Sequence, residues 1–246
     1  MAAYFNGTDQ YLSYTLPSSV SAPWSAGYWF RPDTVDAATR CVFSIMNSGT
    51  TGSGWDLEYD VANGLGFWAA SAGSWFGATT TAPTAGQWHY AVCRAISSTN
   101  RRLAVLRPDG STSHAQNTTS VTPAGCTAVT IAALRESTPA LHMNGSVAEF
   151  WFANVDPVPD GGQMPDDILR RLALNGPFSL RSLQSNIIIY RSLFQSLARD
   201  EIFGDIYWGG NTQPQSWSNV NGAIVTDHPP FAATFKPMMV SKPLPI

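Results

Sequence analysis

Residues 55–61 read Trp-Asp-Leu-Glu-Tyr-Asp-Val, an unbroken alternation of apolar and acidic side chains. Only an extended strand sends successive side chains to opposite faces, so this period of two predicts a half-buried antiparallel strand. Ala62-Asn63-Gly64 follows and supplies a tight reversal into a second apolar run, Leu65 to Ala69. A hairpin of this kind cannot bury its apolar face alone; it needs a wider sheet and a second layer.

Runs of the same type precede and follow it. Tyr11 to Leu16 and Gly27 to Arg31 are aromatic-rich, and Arg40 to Met46 puts Cys41, Phe43 and Ile45 on one face. Gln87 to Ile96 and Arg101 to Arg107 predict a further hairpin across Ser97-Ser98-Thr99-Asn100. Arg107-Pro108-Asp109-Gly110 then marks a turn, with proline fixing φ and glycine free to take the left-handed position. Ala128 to Leu134 and Ser146 to Val155 complete the series. Strands at this spacing predict two face-packed antiparallel sheets, with Trp29, Trp88 and Phe150 inside.

One helix follows. Pro165 suits its first position, Asp166 and Asp167 favour the positive end of the dipole, and Asn175-Gly176-Pro177 ends it. Ile168, Leu169 and Leu172 form its apolar stripe. A second short helix is expected over Ser179 to Gln184, then returning strands at Asn186 to Leu193 and Phe203 to Trp208. The expected organisation is therefore one all-β sandwich over residues 1–226, with core strands in 3–155, a helical segment in 163–185 and returning strands in 186–226. Residues 227–246 hold five prolines, which predicts an extended arm rather than a second core.

Composition narrows the function. Only 13% of residues are charged, about half the usual ~25%. Two readings stay open: a polar but uncharged β surface, or a surface that contacts other subunits. The formal net charge of −3 offers no footprint for nucleic acid. Cys41, Cys93 and Cys126 are odd in number and without CxxC spacing, so neither a zinc framework nor a disulfide scaffold is expected, and folding in a reducing cytoplasm is. The start, MAAYFNGTDQYLSY, has no basic and apolar leader pattern, and no apolar run approaches the ~20 residues of a membrane span. The sequons at Asn6, Asn117 and Asn144 are read as turn residues.

Five motifs in order resemble the laminin-G-like branch of the concanavalin A-like jelly rolls. They are Phe5-Asn6-Gly7-Thr8-Asp9-Gln10-Tyr11-Leu12, Gly27-Tyr28-Trp29-Phe30-Arg31-Pro32, Trp88-His89-Tyr90-Ala91-Val92, Arg107-Pro108-Asp109-Gly110 and Asn144-Gly145-Ser146-Val147-Ala148-Glu149-Phe150-Trp151. The resemblance covers residues 3–175 and implies an antiparallel sandwich with a short helix after its last core strand. The later segments Ile189-Tyr190-Arg191-Ser192-Leu193, Asn221-Gly222-Ala223 and Asp227-His228-Pro229-Pro230 resemble the ends of laminin-G-like proteins encoded near phage structural genes. That resemblance implies a virion protein assembled in the host cytoplasm, partnered by major capsid or other virion proteins and by copies of itself.

Three groups of residues are candidate sites. Asp56, Glu58 and Asp60 share one strand face; the alternation accounts for them as a solvated face, with calcium binding and acid catalysis as the other readings. Family-16-type glucanases carry E-x-D-x-E on such a strand, and D-x-E-x-D departs from it at both ends. Asp9 and Asp109 are read as turn residues rather than calcium ligands. The four histidines show no metal spacing, His89 is read as a satisfied strand residue, and no nucleophile elbow or phosphate loop occurs. No catalytic residue, and so no enzyme, is expected. Trp68, Trp75, Trp208 and Trp217 are candidate sugar-stacking residues. In the arm, Pro237, Met238, Met239, Leu244, Pro245 and Ile246 are candidate assembly anchors. The leading expectation is a non-enzymatic virion protein of capsid-decoration or head-fibre type. The alternative is a glycan-binding adhesion module, and a glycoside hydrolase is the remote third.

Overall fold

The computed structural model describes residues 2–191, 218–220 and 224–226. Strands β1 (Ala2–Asn6), β2 (Tyr11–Thr15), β3 (Trp24–Pro32), β4 (Arg40–Met46), β5 (Gly54–Asp60) and β6 (Gly64–Ser71) open the chain. They are followed by β7 (Ser74–Thr80), β8 (His89–Ser97), β9 (Asn100–Leu106) and β10 (Thr112–Asn117). A longer connection leads to β11 (Ala128–Ile131), the short pair β12 (Leu134–Arg135) and β13 (Pro139–Ala140), and the long β14 (Asn144–Ala153). Helix α1 (Asp166–Asn175), a 3-10 turn over Pro177–Ser179 and α2 (Arg181–Gln184) precede β15 (Ile187–Arg191), β16 (Ser218–Val220) and β17 (Ile224–Thr226).

The strands form two large antiparallel sheets. One has the order β10-β9-β8-β3-β14-β1-β17; the other has the order β16-β2-β11-β4-β5-β6-β7. Strands β1 and β15 lie end to end along β14, pairing with its residues 144–147 and 150–153 respectively. Strand β16 extends one sheet beside β2 while β17 extends the other beside β1. Neighbouring strands that alternate between sheets make this an antiparallel jelly-roll sandwich.

Between the sheets, aromatic side chains fill the core. The Trp24 ring meets Trp55 at 5.5 Å and Phe67 at 5.6 Å, both edge-on, and Tyr28 and Phe150 pack around Phe43. Each such side chain contributes ~1.5–3 kcal/mol through burial. A second apolar layer lies on the outer face of the larger sheet. There Trp29, Trp88, Tyr90, Val92 and Trp151 are covered by Leu169, Leu172 and Ala173 of α1 and by Leu183. Gly27 makes room for the Trp151 ring, since a Cβ there would stand 2.6 Å from it.

The structure corrects several expectations. Phe150 lies between the sheets, but Trp29 and Trp88 belong to the outer apolar layer, because β3 and β8 are buried on both faces. Cys41 does not share a face with Phe43 and Ile45. A bulge between Cys41 and Phe43 in the β4–β5 ladder turns Cys41 to the outer side, against Met46 and Leu134. Val61 is exposed in the turn rather than continuing the apolar face. Pro165 caps α1 instead of starting it, and Gly176 ends it at a φ of 67°. All three cysteines are buried and unpaired. No helix among the described residues is long and apolar enough to cross a membrane.

Candidate functional site

The site lies on the outer face of the seven-stranded sheet. With Trp55, Leu57 and Tyr59 committed to the core, period two sends Asp56, Glu58 and Asp60 of β5 outward. The ladders then set one row across six strands: Ser13, Thr130, Ser44, Asp56, Trp68 and Gly77 pair in succession. The next row is Cys41, Glu58, Gly66 and Thr79, and the row on the other side ends in Ala70 and Trp75.

Trp68 lies over the backbone of Gly66 and Gly77, where a Cβ on either glycine would overlap its indole. The ring is thus seated between β6 and β7 with one side half-exposed. Trp75 is also half-exposed and leans on Cys41, Met46 and Leu134. Together with Thr39, Glu58, Tyr59, Asp60, Asn63 and Gly64, the two tryptophans line a cleft of ≈220 Å³.

The three acids differ in state. Asp56 is fully buried, and neither of its oxygens accepts a hydrogen bond from a donor of the described protein. Burial, then the charge of Glu58, pushes Asp56 far above the usual carboxylate range, so it keeps a proton and donates it to Glu58. Burial likewise raises Glu58 to about 7, with Asp60 and Glu136 adding to the rise. For Asp60, burial is outweighed by donors from Asn63, Thr39 and Ala62, which hold it below its ordinary value. The Ala62 N–H donates at 2.8 Å, the Asn63 side chain at 2.9 Å and the Thr39 hydroxyl at 3.0 Å. Asp60 therefore stays ionised while fixing the β5–β6 turn.

The acidic face is not solvated as the alternation implied, because Asp56 and Asp60 are covered; Trp68 pairs directly across from Asp56. Hydrolysis with retention needs two reachable carboxyls ~5 Å apart across the sugar. Here Asp56 is sealed and Asp60 is occupied by the turn, which leaves Glu58. Among the described residues no three His, Cys, Asp or Glu side chains are grouped to hold a metal. Asp109 accepts from Ser111, and Asn6 accepts from the backbone N–H groups of Thr8, Asp9 and Gln10, both as turn residues. His89 is buried, accepts at Nε2 from the Thr84 N–H and meets the Gln87 carbonyl through Nδ1.

Trp68 and Trp75 line the same cleft; Trp208, Trp217 and the arm residues Pro237, Met238, Met239, Leu244, Pro245 and Ile246 lie outside the described residues. Thr39, Asn63 and the seating glycines were missed by sequence reasoning. The signal for the seat was present in Gly66-Phe67-Trp68 and Trp75-Phe76-Gly77, glycines two positions from each tryptophan.

Residues 6–156 match the family described as the concanavalin A-like lectin/glucanases superfamily, and the chain belongs to it. Its fold resembles tailspike protein 2 of an Escherichia coli bacteriophage, with a TM-score of 0.52 at 10% identity over 74% of this chain and 25% of that one. It also resembles CBM40 of Ruminococcus gnavus IT-sialidase bound to alpha2,3 sialyllactose, with a TM-score of 0.50 at 12% identity over 68% of this chain and 94% of that one. No curated protein sequence matches.

Proposed function

We propose that the chain is a glycan-binding module and that the Trp68 cleft is its sugar site. The observation that carries this reading is the half-exposed indole laid flat over Gly66 and Gly77 beside Glu58 and Asn63. A flat aromatic face with polar groups at its edge suits a sugar ring, whose C–H face stacks while its hydroxyls reach acceptors and donors. Family membership supports the reading, as does a similar fold in a carbohydrate-binding neighbour. The experiment is a glycan array followed by calorimetric titration. Trp68→Ala should remove binding while the fold persists, and Trp75→Ala should weaken it; binding unchanged in both variants would refute the site.

The setting we favour is a virion, since a phage tailspike shares the fold and the C-terminal sequence resembles phage-encoded relatives. Capsid decoration rests on residues 227–246 and the low charge, whereas glycan binding rests on described geometry, so the adhesion role is preferred. A hydrolytic role is the weaker alternative because, of the two acids flanking Glu58 on its strand, Asp56 is sealed and Asp60 is held by the β5–β6 turn. Purified protein should release no reducing sugar from β-glucans or galactans; turnover lost in Glu58→Gln would overturn that expectation.

A further inference from the structure

The cleft lining is lopsided in charge. Glu58 and Asp60 contribute carboxyls, while Thr39, Tyr59 and Asn63 contribute uncharged polar groups. No Lys or Arg belongs to the lining among the described residues. Two further acids lie close behind, since Asp56 touches Glu58 and Glu136 acts on both. The arginines of this region are engaged elsewhere. Arg40 donates to the carbonyls of Gly7 at 3.4 Å and His142 at 3.2 Å and pairs with Asp36 at 3.7 Å. Arg135 donates to the Ser13 hydroxyl at 2.8 Å and lies over the Tyr11 ring.

From this we infer that the cleft selects uncharged glycans and discriminates against acidic ones, with Glu58 as the specificity-determining residue. The inference rests on the glycan-binding reading and adds the ligand class. A sugar hydroxyl gains a charge-assisted hydrogen bond by donating to a carboxylate. A ligand carboxylate or sulfate has no proton to donate, meets no cation among the described lining residues, and adds charge beside Asp60, which stays ionised under its four donors.

Calorimetric titration of the full chain with matched pairs tests the inference: lactose against sialyllactose, and galactan oligomers against galacturonan oligomers. At low salt the neutral member of a pair should bind about tenfold or more tightly than its acidic partner, a gap that salt should narrow. Glu58→Gln should narrow the gap, and Asn63→Lys at the exposed rim should reverse or erase it. Acidic ligands bound as tightly as neutral ones in the native chain, through a Trp68-dependent site, would overturn the charge selection and leave glycan binding standing. A gap unaltered in both Glu58→Gln and Asn63→Lys would also overturn it. No Trp68-dependent binding to either class would overturn the sugar site itself, and the selection with it.

Discussion

The outer faces of the two sheets carry the same kind of residue and use it differently. On the larger sheet Trp29 and Trp151 are buried beneath α1, and their indole N–H groups are both satisfied inside the protein. Trp29 donates to the Ala173 carbonyl at 3.1 Å and Trp151 to the Tyr90 hydroxyl at 2.8 Å. On the smaller sheet Trp68 has no helix above it among the described residues and rests on two glycines, with polar Glu58 and Asn63 as neighbours in the cleft. A tryptophan on a sheet becomes core when a layer supplies apolar cover and a hydrogen-bond acceptor. Without that layer the same side chain becomes a platform.

The comparison breaks if both tryptophans prove equally structural. Trp151→Ala should cost ~3–5 kcal/mol, since it empties a fully buried site and strips the Tyr90 hydroxyl of its donor. Leu172→Ala, on the helix side of the same layer, should cost ~2–5 kcal/mol. Trp68→Ala should cost about 1 kcal/mol or less, because the ring is half-exposed. Denaturant unfolding of the three variants checks this ordering. A loss at Trp68 as large as at Trp151 would make it core and remove the platform.

The acids beneath the platform should leave a pH signature of intermediate size. Burial holds Glu58 at about 7 and Asp56 far above its ordinary range, so the folded state keeps protons that the unfolded chain releases near pH ~4. Their stabilising contribution is therefore fullest below the unfolded pKa and is lost as pH rises through the folded one. Burial also raises Glu149 to about 7, in the same direction. His89, lowered by burial to about 4, works oppositely up to its unfolded value of ~6.5. A difference between variants isolates Glu58 from these. Glu58→Gln should melt close to the native chain at about pH 5 and above it at about pH 8, by on the order of 1–3 kcal/mol. A difference that shrinks with rising pH would show that Glu58 ionises freely in the fold.

Much of the sandwich was legible because its signals are local. The alternation of residues 55–61 and the turns at Gly64 and Gly110, with φ of 79° and 81°, need no distant partner. Strands β7 and β10 escaped notice because small and polar residues dominate them, without an apolar alternation, and most of their positions are only partly buried. The face of Cys41 was misread because a bulge changes the parity of β4 without a mark in the sequence. The burial of Asp56 was invisible for a different reason. Its cover comes from the next strands of the sheet, and register brings Trp68 opposite it only after folding. Acid and tryptophan were each visible as candidates; their adjacency was not.

The smallest effect expected concerns how the covering helix is held. Besides its apolar stripe, α1 makes polar contacts with the β9–β10 hairpin. Asp166 accepts from the Thr112 hydroxyl at 2.8 Å, and its other oxygen meets His114 Nε2 at 2.8 Å. Arg170 donates to the Gly110 carbonyl at 2.6 Å. The Asp166 carboxylate is 53% exposed, so water and salt screen the pair and its two side chains pay ordering entropy. Its place in the first turn of α1 adds a few tenths of a kcal/mol from the helix dipole. Asp166→Asn should therefore cost less than ~1 kcal/mol at low salt and still less at high salt, against the several kcal/mol expected of Leu172→Ala. Thermal melts of the two variants at two salt concentrations separate the contributions. If Asp166→Asn proved as damaging as Leu172→Ala, the helix would be held by its rim rather than by the tryptophans beneath it, and the two sheet faces would differ less than their burial indicates.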